Sequence, residues 1–475
     1  MSLLINPSVF REYDIRGIAS IDLSAAFAES LGLAYAQLIR GNQPVGGRDK
    51  LTIAVGKDCR LSSDNYEDAL VNGLLKGGLD VIRLGLCPTP VNYFSLFHLD
   101  LDGAIMVTAS HNPPDHNGFK ICVGREAIYG DQIQKLRLIM ERGDDSTLKR
   151  GSLSDYNIIS DYLDYQKNQF PSLKGKKIVI DCGNGMASII VASELFRSLG
   201  VEVLELFCEL DGTFPNHVPD PTVENNLLDL IRTVKETHAD FGVGFDGDAD
   251  RIGVVDENGR LLPGDELMVI FSRALLEENP GATVISEVKS SFRLFEDIKE
   301  KGGTPLMWKV GHSHLKAKMK ETGALLGGEL SGHVCFADRY FGYDDAIYAT
   351  LRLLEIALNK KGTLSSLLND LPATFSTPEL RISFEDDLKF EFVDKVKKIL
   401  LSDSTLKKYN ATDIDGVRID FGDGWGLIRA SNTQSVITFR FEAISKKRLS
   451  QIKLIFESAV NNACDKMNHQ PIRLK

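Results

Sequence analysis

Short apolar runs separated by amphipathic stretches fill the first three quarters of the chain. After a helical pattern at Ala25 to Leu38, Leu51 to Val55 reads as a strand, Asn65 to Leu75 as a helix and Asp80 to Leu84 as a strand. The succession returns with the strand Lys177 to Asp181, a helix from Ala187 to Leu199, Gly200 and the strand Val201 to Leu206. It returns again from Thr283 to Ser286, through a helix around Leu294 to Ile298, to Gly302-Gly303 and the strand Leu306-Met307. Each helix stops on glycine and the chain comes back as a strand, which predicts three similar α/β domains. After Leu371-Pro372 the pattern changes. Phe392, Val393, Val396, Ile399 and Leu400 repeat at helical spacing, Val436 to Glu442 alternates as an edge or half-buried strand does, and Leu449 to Val460 forms an amphipathic closing helix. This last part predicts a smaller α+β domain. With the joints set in polar text, the expected domains are 1–155, 156–256, 257–371 and 372–475.

Length agrees with this division, since at about 150 residues per domain a chain of 475 residues makes three domains, or four when they are small. Lys and Arg number 55 against 66 Asp and Glu, a net charge of -11 that argues against a general nucleic-acid binder. A small anion is still open as a ligand, because a few local cations suffice to hold it. Seven cysteines, odd in number and never in a Cys-x-x-Cys pair, fit reduced thiols and a cytoplasmic protein. The start, Met1 to Pro7, has no basic region and too short an apolar part for a signal peptide, and no window approaches a membrane span.

Two loops carry candidate chemistry. The apolar run Ala104-Ile105-Met106-Val107 leads into Thr108-Ala109-Ser110-His111-Asn112-Pro113, which places Ser110 at the carboxyl end of a buried strand, the rim where open α/β sheets bind ligands. Taken alone, this is also what an ordinary strand-to-loop turn looks like. Gly244-Phe245-Asp246-Gly247-Asp248-Ala249-Asp250-Arg251 sits between two further strand-like runs and sets three carboxylates at alternate positions. Oxygen ligands of this kind converge on a hard cation, and three of them with a place left for a phosphate oxygen favour Mg²⁺. Although Glu257 stands at the twelfth position counted from Asp246, an EF-hand is argued against by Arg251 and by flanking strands where helices are required. The pair His312 and His314 lacks a third ligand at close spacing and is a weak zinc signal.

Together with Gly327-Gly328-Glu329-Leu330-Ser331-Gly332-His333 and Arg429-Ala430-Ser431-Asn432-Thr433, these loops resemble, in order and over essentially the whole chain, those of the α-D-phosphohexomutases. The sugar loop and Gly424-Trp425-Gly426-Leu427-Ile428-Arg429 are most similar to the bacterial phosphomannomutase/phosphoglucomutase branch. The resemblance implies four domains, three α/β with mixed sheets and a smaller α+β one, around one central cleft. It implies interconversion of hexose 1-phosphate and hexose 6-phosphate, for mannose and glucose, through a phosphoserine at Ser110 and a 1,6-bisphosphate. Glucose 1,6-bisphosphate would serve as activator and intermediate, and Mg²⁺ would be held by Ser110, Asp246, Asp248 and Asp250.

The same resemblance makes Arg251 an offset for phosphate charge. It makes Lys120 and His333 the candidates for proton transfer, His333 unperturbed and Lys120 only with a lowered pKa. Tyr13, Arg16, Lys289 and His312 become substrate contacts, Glu329 and Ser331 the holders of two ring hydroxyls, and Arg429, Ser431, Asn432 and Thr433 a phosphate grip. The expected partners are small sugar phosphates, with no nucleic acid and no membrane, and the chain is expected to act as a monomer. Two departures stand out: Gln434-Ser435 follows the last loop where Thr-x-Pro or Glu-Pro is common, and Cys59 takes a usual glycine's place. Three rival readings are the same chemistry on glucosamine phosphate, a metal-dependent phosphatase and a silent binding protein. A phosphatase has no need of a grip on the substrate's far end, and a binding protein has no need of a nucleophile.

Overall fold

The computed structural model describes residues 5–41, 50–143, 148–170 and 172–474. The leader reading rests in part on residues 1–4, outside the described residues. Three sheets repeat one plan, in which three parallel strands are closed by an antiparallel partner of the last. In the first, Asp80–Leu86, Thr52–Lys57 and Gly103–Val107 run parallel and His116–Val123 returns against Gly103–Val107. In the second, Glu202–Leu206, Lys177–Asp181 and Phe241–Phe245 are closed by Ile252–Asp256. The third repeats this with Thr304–Trp308, Thr283–Glu287 and Leu326–Gly328, closed by Val334–Phe336. The middle strands read as unbroken apolar runs because helices cover both faces of such sheets.

This plan places the motifs. Each connects the last parallel strand to its antiparallel partner: Val107 to His116, Phe245 to Ile252 and Gly328 to Val334. The three loops therefore emerge at equivalent sheet edges. One apolar cluster runs from Phe94 and Tyr162 through Ile180 and Phe271 to Leu354, so the first three units share a core, while the C-terminal part has its own around Phe392, Phe439 and Phe456.

Two local expectations are corrected. The helix expected over Ala187 to Leu199 is two short helices, Ala187–Ala192 and Leu195–Ser198, because Glu194 takes a left-handed φ of 59° and Ser193 Oγ bonds back to the Ile189 carbonyl. The strand Val436–Ala443 is central rather than an edge, lying between Gly424–Ala430 and the strands Phe375–Ser376 and Leu380–Ser383. Its alternation is genuine, but the polar face meets protein instead of water. Arg440 donates to the Lys289 carbonyl (2.7 Å), and Glu442 accepts from Ser291 Oγ (2.7 Å) and Trp425 Nε1 (2.7 Å). Two strands over in the same sheet, Arg418 donates to the carbonyls of Val288 (2.6 Å) and Ser290 (2.7 Å), so the C-terminal part is docked on the loop that carries Lys289.

Helices Ala25–Gly41 and Ser63–Lys76 cross over the first sheet at glycine. A Cβ on Gly73 would lie 2.1 Å from the Glu29 carbonyl oxygen, a backbone atom that has nowhere to swing. Gly73→Ala should therefore lower stability by about 1 to 3 kcal/mol despite its better helix propensity. Gly41→Ala, with nothing among the described residues within 4 Å of the added atom, should not. Urea unfolding of the two variants checks this, and equal midpoints would refute the crossing argument.

Candidate active site

Ser110 holds a left-handed φ of 53°, with its amide bound to Thr108 Oγ1 (2.9 Å). Its Oγ donates to Asp246 Oδ2 (2.7 Å) and lies 3.1 Å from His111 Nδ1. The loop is held from beneath by Arg60. This buried guanidinium donates to the carbonyls of Ser110 (2.8 Å), Asn112 (2.6 Å), Pro113 (2.6 Å) and His116 (3.0 Å), while its Nε faces Asp58 Oδ2 (3.1 Å). Its rigid fork of donors suits such a task. Sequence reasoning missed Arg60; the only signal was its place beside Asp58 in the turn where Cys59 stood out.

Asp246, Asp248 and Asp250 are wholly buried, and one carboxylate oxygen from each lies within 4.8 Å of the others. Lys120 Nζ donates to Asp248 Oδ2 (2.6 Å) and to Asp250 Oδ2, and Thr89 Oγ1 donates to Asp248 Oδ2 (2.5 Å). The remaining oxygens, Asp248 Oδ1 and Asp250 Oδ1, are buried without a hydrogen-bond partner among the described residues. Orphaned hard oxygens beside a serine hydroxyl fit a divalent cation such as Mg²⁺.

Burial, with Asp248 and Asp250 alongside, pushes the Asp246 carboxyl well up. Burial alone would also raise Asp248, but the Lys120 ammonium outweighs it and holds that group below the usual carboxylate range. For Lys120 itself burial favours the neutral amine, yet Asp248 and Asp250 win and raise its pKa. That is opposite to the lowering a lysine base needs. The acidic loop comes this close to the serine only because of glycine, since a Cβ on Gly247 would lie 2.4 Å from the Ser110 carbonyl oxygen.

The third loop joins the second through a bridge between Arg251 and His333. Arg251 Nε donates to His333 Nε2 (3.0 Å), which puts the ring proton on Nδ1, 2.9 Å from Asp344 Oδ2. Asp344 is a second residue that the sequence reading missed. The same oxygen lies 3.3 Å from His312 Nδ1, and Lys316 Nζ donates to Oδ1 (2.7 Å). The two imidazoles stack 4.9 Å apart, and burial, then Lys316, brings His312 down to about 4. His314 turns the other way, edge-on to Tyr13 and Tyr129, with Nε2 3.3 Å from Glu12. The two histidines of the His-x-His pair thus serve different surroundings.

A cleft of about 520 Å³ gathers Tyr13, Arg16, Arg251, Lys289, His312, Glu329, Ser331, His333, Arg429, Ser431 and Thr433. Ser110, Lys120 and the three aspartates are not in its lining but lie buried, behind the lining residues His111 and Asn112. Asn432 is reached through Tyr13: Nδ2 donates to the phenol oxygen (2.8 Å), which donates to the Val310 carbonyl (2.6 Å). Glu329 Oε1 accepts from the Gly311 amide (2.6 Å), so its place is fixed by backbone. At the far end Arg429 Nε faces Asp415 Oδ2 (3.0 Å) and Lys289 Nζ lies 3.1 Å from Glu379.

Four family descriptions match the chain in order: phosphoglucomutase/phosphomannomutase alpha/beta/alpha domain I over residues 7–146, domain II over 160–259, domain III over 263–375 and the C-terminal domain over 380–458. The chain belongs to the phosphoglucomutase/phosphomannomutase family. A phosphomannomutase/phosphoglucomutase of Pseudomonas aeruginosa is 43% identical over 451 residues, covering 95% of each chain. A phosphoglucomutase of Neisseria meningitidis serogroup A is 40% identical over 459 residues, 96% of this chain and 97% of its own. The crystal structure of a Burkholderia thailandensis phosphoglucomutase/phosphomannomutase family protein superposes with a TM-score of 0.89 at 41% identity, over 99% of this chain and 100% of that one. The family assignment and the four-part architecture agree with the sequence reading.

In a mutase of this build the position of Ser110 rests on Arg60. Arg60→Met keeps the length but leaves four carbonyls without their donor, and a small misplacement of the serine should lower kcat by about 10²-fold. Circular dichroism should stay unchanged. A wild-type kcat in the folded variant would sink the positioning role.

Proposed function

We propose that the chain interconverts the 1- and 6-phosphates of mannose and glucose through a phosphoserine at Ser110 and a hexose 1,6-bisphosphate. The observation that carries this is a single cleft with cations at both ends. Arg16 and Arg251 stand by the serine loop, and Lys289 and Arg429 stand at the other end. One end suits a phosphoryl group in transfer and the other a phosphate that is only held. A phosphatase would need the first alone.

In the forward half-reaction the bond between Ser110 Oγ and phosphorus breaks as the free sugar hydroxyl bonds to phosphorus. The hydroxyl proton passes to His333 Nε2. Arg251 now occupies that lone pair, so turning its guanidinium to the phosphoryl group both neutralises charge and frees the base. Lys120 stays charged and holds Asp248 and Asp250 in place. Magnesium held by Asp246, Asp248, Asp250 and an oxygen on Ser110 would supply further charge neutralisation to a group carrying about -1.5 to -2. Glu329 and Ser331 hold the ring hydroxyls, Arg429, Ser431, Asn432 and Thr433, with Lys289, hold the distant phosphate, and Tyr13 and His312 make further contacts to the substrate. The bisphosphate then turns end for end and returns its other phosphoryl group to Ser110, so glucose 1,6-bisphosphate primes the cycle.

We read the chain as a cytoplasmic monomer. All seven cysteines are free thiols, and the cleft takes lining residues from all four parts of the chain, so the site is assembled without a second copy. Among the described residues no helix is long and apolar enough to cross a membrane.

With Mg²⁺ and a trace of glucose 1,6-bisphosphate, mannose 1-phosphate and glucose 1-phosphate should be converted to their 6-phosphates with little release of free phosphate. Glucosamine 1-phosphate should turn over poorly. Phosphate release without isomerisation would overturn the mutase reading, and a preference for glucosamine would overturn the sugar assignment. Ser110→Ala should lose both turnover and the phosphate seen by intact mass. His333→Gln should lower kcat by about 10²-fold or more with little change in KM, and an unchanged kcat would remove it as the base.

A further inference from the structure

Behind the cleft wall that carries His312 lies a second cavity of about 850 Å³, which shares none of the cleft's lining residues. It opens between helix Thr89–His98 and the Arg125 turn on one side and helix His312–Thr322 on the other. Its size suits a small organic ligand, for which cavities run from about 300 to 1,000 Å³. One wall is aromatic: Phe97 and Phe341 stack 4.5 Å apart, and Tyr93 meets Tyr343 edge-on at 5.6 Å.

Two hydroxyls in the lining are left unused. Tyr93 is 3% exposed and Ser313 2%, yet among the described residues neither Tyr93 Oη nor Ser313 Oγ has a hydrogen-bond partner. Leaving a buried hydroxyl unpaired is unfavourable, so two of them on residues of one cavity mark a place for polar ligand atoms. Of the cations in the lining, Lys316 is held by Asp344 and Lys320 by Glu126. Arg125 is different. It is exposed, its guanidinium sits 4.9 Å from the Phe97 ring, its Nε donates to the Leu96 carbonyl, and among the described residues no carboxylate pairs with it.

We propose that this cavity is a regulatory site for a small aromatic anion. The ring packs on Tyr93, Phe97 and Phe341, the anionic group pairs with Arg125, and polar atoms engage Tyr93 and Ser313. The route to the cleft is short. Ser313 follows His312 directly, and Lys316, whose Nζ lies 4.3 Å from the Tyr93 ring, is the donor to Asp344, the carboxylate beside both His312 and His333. A ligand that shifts Lys316 changes the support of both imidazoles, and by linkage sugar phosphate in the cleft changes the ligand's affinity by the same factor.

The test uses the full-length, Mg²⁺-loaded protein and anilinonaphthalene sulfonate as the probe, followed by its fluorescence. One saturable site is expected, weakened about tenfold by Arg125→Ala through loss of the charged contact and at least as much by Ala317→Phe, which fills the cavity. Both variants should retain mutase turnover without the probe. Binding that saturates at no single site, or wild-type affinity in either folded variant, overturns the site. Should Ala317→Phe fail to fold, Arg125→Ala, at an exposed position, decides the matter alone. Saturating probe should also shift KM for glucose 1-phosphate at least twofold in the wild type and not in Arg125→Ala, in a pattern other than competition. Simple competition, or no shift, overturns the regulatory role.

Discussion

Three carboxylates buried side by side set the terms for everything around them. Each carries a desolvation cost of several kcal/mol that only close positive charge and hydrogen bonds can offset. Besides the loop's own Asp250 and Arg251 amides, which donate to Asp246 Oδ1, the offsets come from outside the acidic loop: Lys120 from the strand His116–Val123, Thr89 from the helix Thr89–His98 of the same unit, and Ser110 from the serine loop. The first and second units are thereby tied at the point where phosphoryl transfer is proposed. Loosening either unit would strand charge in the interior, so the floor beneath the cleft is held by both units.

The other walls answer to different constraints. Arg60 spends its donors on the backbone of the serine loop, so the nucleophile's position is fixed from below by a residue that never faces the cleft lining. Asp344 plays the corresponding part for the imidazoles, with Lys316 as its support. Both work through groups that the substrate would touch, and both stand outside the motif loops.

Much of this was written in local pattern. The strands were legible because they are short, apolar and buried on both faces, and the acidic loop because alternate carboxylates between strands have few other uses. What escaped depends on approach in space. Nothing local to Asp58-Cys59-Arg60 shows that four carbonyls of a loop some fifty residues on will close over it. Asp344 follows Tyr340-Phe341-Gly342-Tyr343 as one of two adjacent acids, and nothing local sets it apart from Asp345. The strand Val436–Ala443 showed its alternation, but alternation does not tell water from a docked neighbour, and its polar face proved to be occupied by the loop that carries Lys289. Lys120 illustrates the same limit for chemistry, since the sign of its shift depends on two acids more than a hundred positions away.

The C-terminal part is bound unequally to its neighbours. Toward the third unit it offers buried guanidinium-to-carbonyl bonds from Arg418 and Arg440, whereas Asn432 reaches the first unit through the phenol of Tyr13. A bond of that kind is worth about 1 kcal/mol, far less than the buried set. The seam at Tyr13 is therefore the weaker one, and Lys289 and Arg429 lie on the same side of it. For an intermediate that has to turn around between two chemical steps, this makes processivity a race: rotation inside the cleft against the release of one latch.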